Sequence, residues 1–319
     1  MKNEIKFLDT VKLGVYLIYM NHDPLGNCTT EQRNEHSADL STKSALEICT
    51  IINTEDSRVA PAVGRILPEI AALAEDITQA FKNGGRLFYI GAGTSGRLGV
   101  LDASECPPTY GTDPGLVRGL IAGGEKALTS SVEAVEDDPE AGVSELKALN
   151  FCVHDVLVGI TASGQAPYVL GALEYAGKLG ATTGAISCNR NSKTFSLVKY
   201  KICADVGPEV VTGSTRMKSG TAQKMILNML TTTAMVLWGK VYRNYMVDMK
   251  PVNQKLVQRS LRMIRELTDC SAEKAEEVFE SSGRKTKTAI VMALFSIDRK
   301  KAEALLAKAE GRITGIKGV

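Results

Sequence analysis

The sequence has few of the residues that build metal centres or disulfide frameworks. Its three histidines, His22, His36 and His154, stand far apart, and its seven cysteines are odd in number, scattered and without a Cys-x-x-Cys pair. Zinc sites need closely spaced Cys and His ligands, and secreted scaffolds need paired cysteines. We therefore predict no metal site, and free thiols in a reducing, cytoplasmic environment.

The chain also lacks an excess of charge of either sign. Its net charge is +2, with 44% hydrophobic and 23% charged residues, and no arginine-rich stripe interleaved with aromatic residues occurs in it. Nucleic-acid-binding domains usually carry such a basic footprint. The composition is that of an ordinary globular protein, and we predict no nucleic-acid partner.

No hydrophobic run is long enough to cross a membrane. The longest candidate, residues 11–20, falls well short of the ~20 residues of a membrane span and is followed by Asn21, His22, Asp23 and Pro24. A signal peptide needs a basic start, a longer uninterrupted apolar run and a small-residue cleavage site, whereas Glu4, Asp9 and Lys12 interrupt this segment. We predict no membrane association and treat residues 1–28 as an N-terminal extension.

Apolar, strand-like runs alternate with helical patterns along most of the remaining chain. This alternation predicts an α/β fold with three layers, α/β/α, around a mostly parallel sheet. Residues 29–252 would form this domain, and residues 253–319 a small helical domain. The predicted strands are 86–90, 119–122, 155–160, 183–187 and 203–206, and the predicted helices lie in 38–82, around 98–101, and in 125–136, 167–179, 218–238, 271–279, 285–295 and 299–308.

Three hydroxyl-rich segments follow predicted strands and open helices: 91–96 (GAGTSG), 161–164 (TASG) and 211–221 (VTGSTRMKSGT). Backbone N–H groups at a helix start, together with short hydroxyl side chains, can bind a phosphate dianion. The alternative is that these residues are ordinary helix N-caps. The candidate substrate-binding residues are Gly93, Thr94, Ser95, Ser163, Ser214 and Thr215.

The glycines at 91, 93 and 96 also match the spacing of dinucleotide-binding sites. Such sites need an acidic residue about 20 positions later, at the end of the next strand. Glu125 comes later than that and is explained as the start of a helix, and no Walker-type loop is present. A phosphorylated small molecule fits this pattern better than a dinucleotide.

Two sets of acidic residues are candidates for proton transfer. Glu105 lies at the predicted end of the helix that follows the first loop, because Pro107 and Pro108 should stop that helix. The negative end of the helix dipole would favour the protonated carboxyl there. A solvated helix-end charge is the alternative. The second set is Glu133, Glu136, Asp137 and Asp138, and the pattern does not say which of them faces a pocket.

Long segments of the sequence resemble the N-acetylmuramic acid 6-phosphate etherases of the sugar isomerase (SIS) superfamily. The resemblance extends from about Thr29 over nearly the whole remaining chain. The segments that carry it are 30–34 (TEQRN), 51–56 (IINTED), 91–110, 119–124 (GLIAGG) and 209–224 (EVVTGSTRMKSGTAQK).

The resemblance implies cleavage of the ether between the sugar C3 oxygen and the lactyl group, by elimination across C2–C3 and addition of water. It implies Glu105 as the proton donor and Glu136 as the base, no cofactor, and a homodimer. The products would be N-acetylglucosamine 6-phosphate and D-lactate, formed during recycling of cell-wall sugars. Gln165 and Ala166 depart from the family pattern, which often has Arg-Thr at these two positions.

Two other functions use the same motifs. Glucokinase regulatory proteins are similar, non-catalytic sugar-phosphate sensors, but they carry two tandem SIS domains, and 319 residues accommodate one. Aldose–ketose isomerases share the fold, and the Ala-Ser-Glu-Cys-Pro-Pro segment, residues 103–108, argues against that activity.

Overall fold

The part of the chain that the structure describes forms one five-stranded parallel sheet. We describe it from a computed structural model that covers residues 28–132 and 134–318, so the predicted extension over residues 1–28 lies outside the described residues except for Cys28. The strand order is β2-β1-β3-β4-β5. The strands are β1 Leu87–Gly91, β2 Val117–Ile121, β3 Val156–Ile160, β4 Thr182–Ser187 and β5 Tyr200–Cys203.

Both faces of the sheet are covered, as β1 illustrates. All five of its residues are buried. Leu87 and Tyr89 belong to the core on one face, whereas Phe88 and Ile90 belong to the core on the other. Side chains alternate across a strand, so a strand with helices on both sides is apolar throughout.

The helices form the two outer layers. The face that carries Leu87 and Tyr89 packs against α2 Val59–Gly64, α3 Leu67–Lys82, α4 Gly93–Tyr110 and α8 Lys218–Leu237. Helix α1, Ala45–Asp56, precedes these four in the chain. The second face packs against α6 Pro139–Ala148 and α7 Pro167–Lys178. A short helix, α5, spans Lys126–Thr129. The predicted three-layer α/β/α architecture with a parallel sheet is thereby confirmed.

A separate hydrophobic core holds the C-terminal helices together. These are α9 Gln254–Thr268, α10 Ala272–Ser281, α11 Thr286–Phe295 and α12 Arg299–Lys308. Tyr242 and Val247 also belong to this core, although they precede the predicted boundary at residue 253. Throughout residues 28–132 and 134–318, no helix has the length and apolar character needed to cross a membrane.

The last strand does not lie where the sequence predicted it. We expected residues 203–206, but β5 spans Tyr200–Cys203. It is an edge strand, and within it Lys201 is exposed whereas Ile202 is fully buried. The apolar run that follows is buried in the core without belonging to a strand, which misled the prediction.

The predicted helix over residues 125–136 is also wrong. The chain forms only α5, becomes extended at Ser130, and makes a single 3-10 turn at Val135–Asp137. Asp138 precedes Pro139, and a residue before proline is disfavoured in the helical conformation. Asp138 instead caps α6 by accepting a hydrogen bond from the Glu140 N–H at 2.9 Å.

Finally, α4 does not stop before its two prolines. Pro107 and Pro108 lie inside the helix, which ends at Tyr110 and is followed by Gly111 at φ +65°. Proline near the end of a helix removes hydrogen bonds, yet its φ suits the helix. Glu105 therefore lies within α4, before its last turn, and not at the negative end of the helix dipole as predicted.

Candidate active site

The loops after β1 and β3 and the loop before α8 surround one cleft. Because β1 and β3 are parallel neighbours, paired from Leu87 opposite Val156 to Gly91 opposite Ile160, their carboxyl ends lie side by side. The cleft has a volume of about 370 Å³. Of the predicted residues, its lining includes Gly93, Thr94, Ser95, Ser163, Thr215 and Glu136.

The glycine spacing of the first loop reflects tight packing between β1 and α4. A Cβ atom on Gly96 would lie 2.6 Å from the Gly91 carbonyl oxygen and 2.7 Å from an Ile121 side-chain carbon. Gly93 has φ +53°, which glycine adopts without strain. The glycine pattern is thus needed to start α4 close to the sheet, whatever ligand the loop holds.

The N-terminus of α4 offers its backbone N–H groups to the cleft. Its N-cap is Ala92, which makes no side-chain capping bond. The buried Ser95 donates its hydroxyl to Gln223 Oε1 at 3.0 Å, which ties this loop to α8. Helix starts of this kind attract anions through the free N–H groups and the helix dipole.

The second loop is held in shape by its own hydroxyls. Thr161 Oγ1 accepts from the Gly164 N–H at 3.2 Å, and Ser163 Oγ accepts from the Gln165 N–H at 3.3 Å. Gly164 has φ +78°. Ser163 and Gln165 both line the cleft, and Gln165 also donates its amide to the Cys28 sulfur at 3.2 Å.

The third loop differs from the first, because the helix that it opens is already capped. The buried Glu209 accepts from the N–H groups of Lys218 at 3.0 Å and Ser219 at 2.9 Å. An internal carboxylate therefore occupies the first N–H groups of α8. Thr215 lines the cleft, whereas Ser214 is not part of its lining.

A buried ion pair anchors α8 beside the cleft. Lys218 donates its ammonium group to Glu55, and both side chains are almost fully buried. Burial alone would raise the pKa of Glu55, but hydrogen bonds from Lys218 and Asn34 reverse this effect, so the pKa lies below its ordinary value. Sequence reasoning missed this pair, which joins residues far apart in the chain.

The two predicted catalytic glutamates line different cavities. Glu136 is exposed in the 3-10 turn at Val135–Asp137 and lines the cleft together with Asp137. Glu105 is exposed on α4 and lines a second cavity of about 280 Å³, between α4 and α8. Within one chain, the structure does not bring the two carboxylates together.

The second cavity also contains a buried carboxyl with a shifted pKa. Burial raises the pKa of Asp102 to about 6. Thr231 donates to Asp102 Oδ1 at 3.2 Å, and Oδ2 has no hydrogen-bond partner among the described residues. Asp102 lies one helical turn before Glu105, the predicted proton donor. Sequence reasoning missed Asp102.

The chain is similar to a known family model and to several solved structures. A family model for the glucokinase regulatory protein N-terminal SIS domain matches residues 69–177. Among solved structures, the phosphoheptose isomerases of Francisella tularensis and Neisseria gonorrhoeae are similar at TM-scores of 0.45 and 0.43 and at 19% and 21% identity. Each match covers 60% of this chain and 98% of the other.

Similarity to curated sequences is much higher. The N-acetylmuramic acid 6-phosphate etherase of Glaesserella parasuis serovar 5 is 54% identical over 290 residues, which is 91% of this chain and 95% of that protein. The etherase of Aliivibrio fischeri strain MJ11 is 54% identical over 284 residues, 89% and 95% of the two chains. That of Klebsiella aerogenes is 50% identical over 289 residues, 91% and 96%.

Proposed function

The chain belongs to the N-acetylmuramic acid 6-phosphate etherase family, and on this premise we propose that it cleaves the lactyl ether of N-acetylmuramic acid 6-phosphate. The products are N-acetylglucosamine 6-phosphate and D-lactate. The observation that carries the proposal is the cleft, which combines anion-binding loops with Glu136 on its wall. We further propose that the enzyme is cytoplasmic and serves the recycling of cell-wall sugars.

The phosphate binds at the start of α4. The N–H groups of Gly93, Thr94 and Ser95 belong to the first turn of a helix of 18 residues, and no side chain among the described residues accepts a hydrogen bond from them. Ser163, from the adjacent strand end, supplies a hydroxyl on the neighbouring wall, and Thr215 supplies another. Ser214 belongs to the same loop as Thr215 but is not part of the cleft lining.

The reaction then needs a base and an acid. Glu136 takes the proton from C2 of the open-chain aldehyde, a double bond forms between C2 and C3, and the C3–oxygen bond to the lactyl group breaks. Glu105 donates a proton to the departing lactyl oxygen. Water then adds across the double bond, with its hydroxyl at C3 and a proton at C2, and gives N-acetylglucosamine 6-phosphate.

The separation of the two carboxylates supports a homodimer. Glu105 follows Thr94 by about three helical turns, so it lies about 16 Å further along the axis of α4. A sugar phosphate held at the start of α4 does not extend that far. We therefore propose that each active site combines Glu136 of one chain with Glu105 of the second copy. A two-fold dimer would contain two such sites.

The deciding experiment incubates the purified protein with N-acetylmuramic acid 6-phosphate and measures D-lactate enzymatically. Stoichiometric release of D-lactate and N-acetylglucosamine 6-phosphate is the expected result. A folded protein that binds the sugar phosphate without releasing lactate would instead support the sensor function. Conversion of a phosphorylated aldose to a ketose would support the isomerase function.

A further inference from the structure

Glu31 is a carboxylate of the cleft that the proposed chemistry does not use. It ends the 3-10 helix Thr29–Glu31, is half-buried, and lines the same cleft as Ser163 and Thr215. Among the described residues, no hydrogen-bond donor reaches its carboxylate. One of its oxygens lies against Gly213, where a Cβ atom would approach Oε2 to 3.2 Å.

The backbone around Glu31 is fixed on its N-terminal side by Cys28. The buried Cys28 sulfur accepts hydrogen bonds from the Gln165 amide at 3.2 Å and from the Asn189 amide at 3.3 Å. The Glu31 N–H donates to the Cys28 carbonyl at 2.9 Å. The segment is thus attached to the second loop of the cleft.

The C-terminal side of the segment is fixed to α1 and to the residues just before the third loop. Asn34 donates its amide to Glu55 at 3.0 Å and to the Pro208 carbonyl at 3.1 Å, and Ser37 donates to the Val210 carbonyl at 2.7 Å. Because Cys28 and Asn34 are both buried, the turn that carries Glu31 is held from both ends. A carboxylate on a turn that is held at both ends is suited to positioning a ligand.

The charges of the cleft decide what Glu31 can bind. Three acidic residues line it, Glu31, Glu136 and Asp137, and no Lys or Arg is among its described lining residues. A phosphate dianion is repelled from an ionised carboxylate, so it is driven away from Glu31 and towards the free N–H groups of α4. An ionised carboxylate accepts hydrogen bonds and donates none. Its ligand must therefore present a hydroxyl or an N–H.

We propose that Glu31 is a positioning residue that accepts a hydrogen bond from a hydroxyl or the acetamido N–H of the bound sugar, and so orients the sugar with its phosphate at α4. This inference rests on the proposed function for the identity of the sugar. The geometry that carries it is the juxtaposition of the Glu31 carboxylate and the α4 N-terminus in one cleft.

The test compares Glu31→Gln with Glu35→Gln in the full chain. Glu35 lies four residues later in the same anchored segment, is exposed, and is not part of the cleft lining. Calorimetry measures binding of N-acetylglucosamine 6-phosphate and, separately, of inorganic phosphate. A lactate assay gives kcat and KM, and Glu31→Asp, which keeps the charge, serves as a rescue variant.

We expect Glu31→Gln to raise the Kd of N-acetylglucosamine 6-phosphate about tenfold, the usual effect of losing a hydrogen bond to a charged group. The Kd of inorganic phosphate should fall or stay unchanged, because a repelling charge is removed. Glu31→Asp should retain part of the sugar affinity, and Glu35→Gln should match the wild type for both ligands.

A parallel loss of affinity for both ligands, or no change in either, would overturn the role of Glu31 and assign it to the fold alone. If the wild type binds N-acetylglucosamine 6-phosphate but releases no lactate, the proposed function fails and the binding comparison still decides on Glu31. If the wild type is active and Glu31→Gln equals Glu35→Gln, Glu31 has no positioning role and the function stands. A wild type that binds neither ligand overturns both proposals.

Discussion

Glu136 and Glu105 line two separate cavities of the same chain, one at the carboxyl ends of the strands and one between α4 and α8. Glu136 reaches its cavity because the chain after α5 leaves the helical conformation and carries it in a 3-10 turn. Glu105 lines the other from within α4, and Thr109 and Tyr110, which follow the two prolines in the same helix, line it too. This arrangement predicts that the two carboxylates of one active site come from different chains of a dimer.

Mixing two inactive variants should restore activity. Glu105→Gln and Glu136→Gln are each expected to lose lactate release, and Glu105→Gln should retain part of the exchange of the C2 proton with solvent. Co-expressed or refolded together, they should recover about one quarter of wild-type activity, because half of the dimers are mixed and each mixed dimer holds one intact site.

The readouts are D-lactate release and deuterium incorporation at C2. Glu140→Gln, an exposed change in the first turn of α6, is the control and should remain active. Failure of the mixture to recover activity, with mixed dimers present, would place both carboxylates in one chain.

The buried pair Glu55–Lys218 should matter more for stability than any exposed pair. Lys218→Met removes the buried cation and leaves the Glu55 carboxylate with exposed partners, Arg58 at 3.4 Å and His36 at 3.3 Å, so the expected loss is about 3 kcal/mol in the free energy of unfolding. Urea unfolding followed by circular dichroism measures it. Lys255→Met, at an exposed position of α9, should change the stability by less than about 0.5 kcal/mol. Equal effects of the two changes would contradict the prediction.

Asp102 should make the protein less stable as the pH rises. Its pKa is raised to about 6 in the folded chain from an ordinary value of 3.8, so the folded state binds the proton more tightly than the unfolded state. Stability from this group is therefore full below about pH 4 and is lost as the pH rises through about 6. Asp102→Asn mimics the protonated form, so its gain in stability over the wild type should grow with pH, from about 1 kcal/mol near pH 4.5 to about 3 kcal/mol above pH 7.

Urea unfolding at pH 4.5 and pH 7.5 tests this prediction. Glu69→Gln, an exposed change in α3, is the control and should show no such pH-dependent gain. An advantage of Asp102→Asn that is the same at both pH values would show that the carboxyl does not titrate between them.

Gln165 marks a place where a cation would strengthen anion binding. It lines the cleft beside Ser163, in a lining whose described residues include three acids and no Lys or Arg. Gln165→Arg should lower the Kd of inorganic phosphate about tenfold at low salt, because a guanidinium forms charge-assisted hydrogen bonds to phosphate. The gain should shrink at high salt.

Gln165→Met is the matched control, since it also removes the hydrogen bond from the Gln165 amide to the Cys28 sulfur but adds no charge. Calorimetric titration of all three proteins with phosphate measures the effect. Equal affinities of the Arg and Met variants would show that position 165 does not contact the anion.

The alternation of apolar runs and helical patterns was sufficient to predict the three-layer architecture. Strands such as β1 and β3 are apolar throughout because helices cover both faces, and this leaves a clear pattern in the sequence. The same reasoning placed hydroxyl-rich loops at the carboxyl ends of two neighbouring strands, and Thr94, Ser95 and Ser163 do line one cleft. Local patterns gave wrong predictions at three places. Edge pairing placed β5 earlier than expected, the cap at Asp138 replaced the helix predicted over residues 125–136, and Pro107 lies late enough in α4 for the helix to continue through it.

What the sequence determined by itself was therefore the layer architecture and the chemical character of the loops, because both depend on residues close together in the chain. Only the tertiary structure decided that Glu209 caps α8, that Lys218 is buried against Glu55, and that Glu31 shares a cleft with Glu136. These relationships join residues from 9 to more than 100 positions apart. They arise from burial and charge pairing across the packed layers, which no local periodicity encodes.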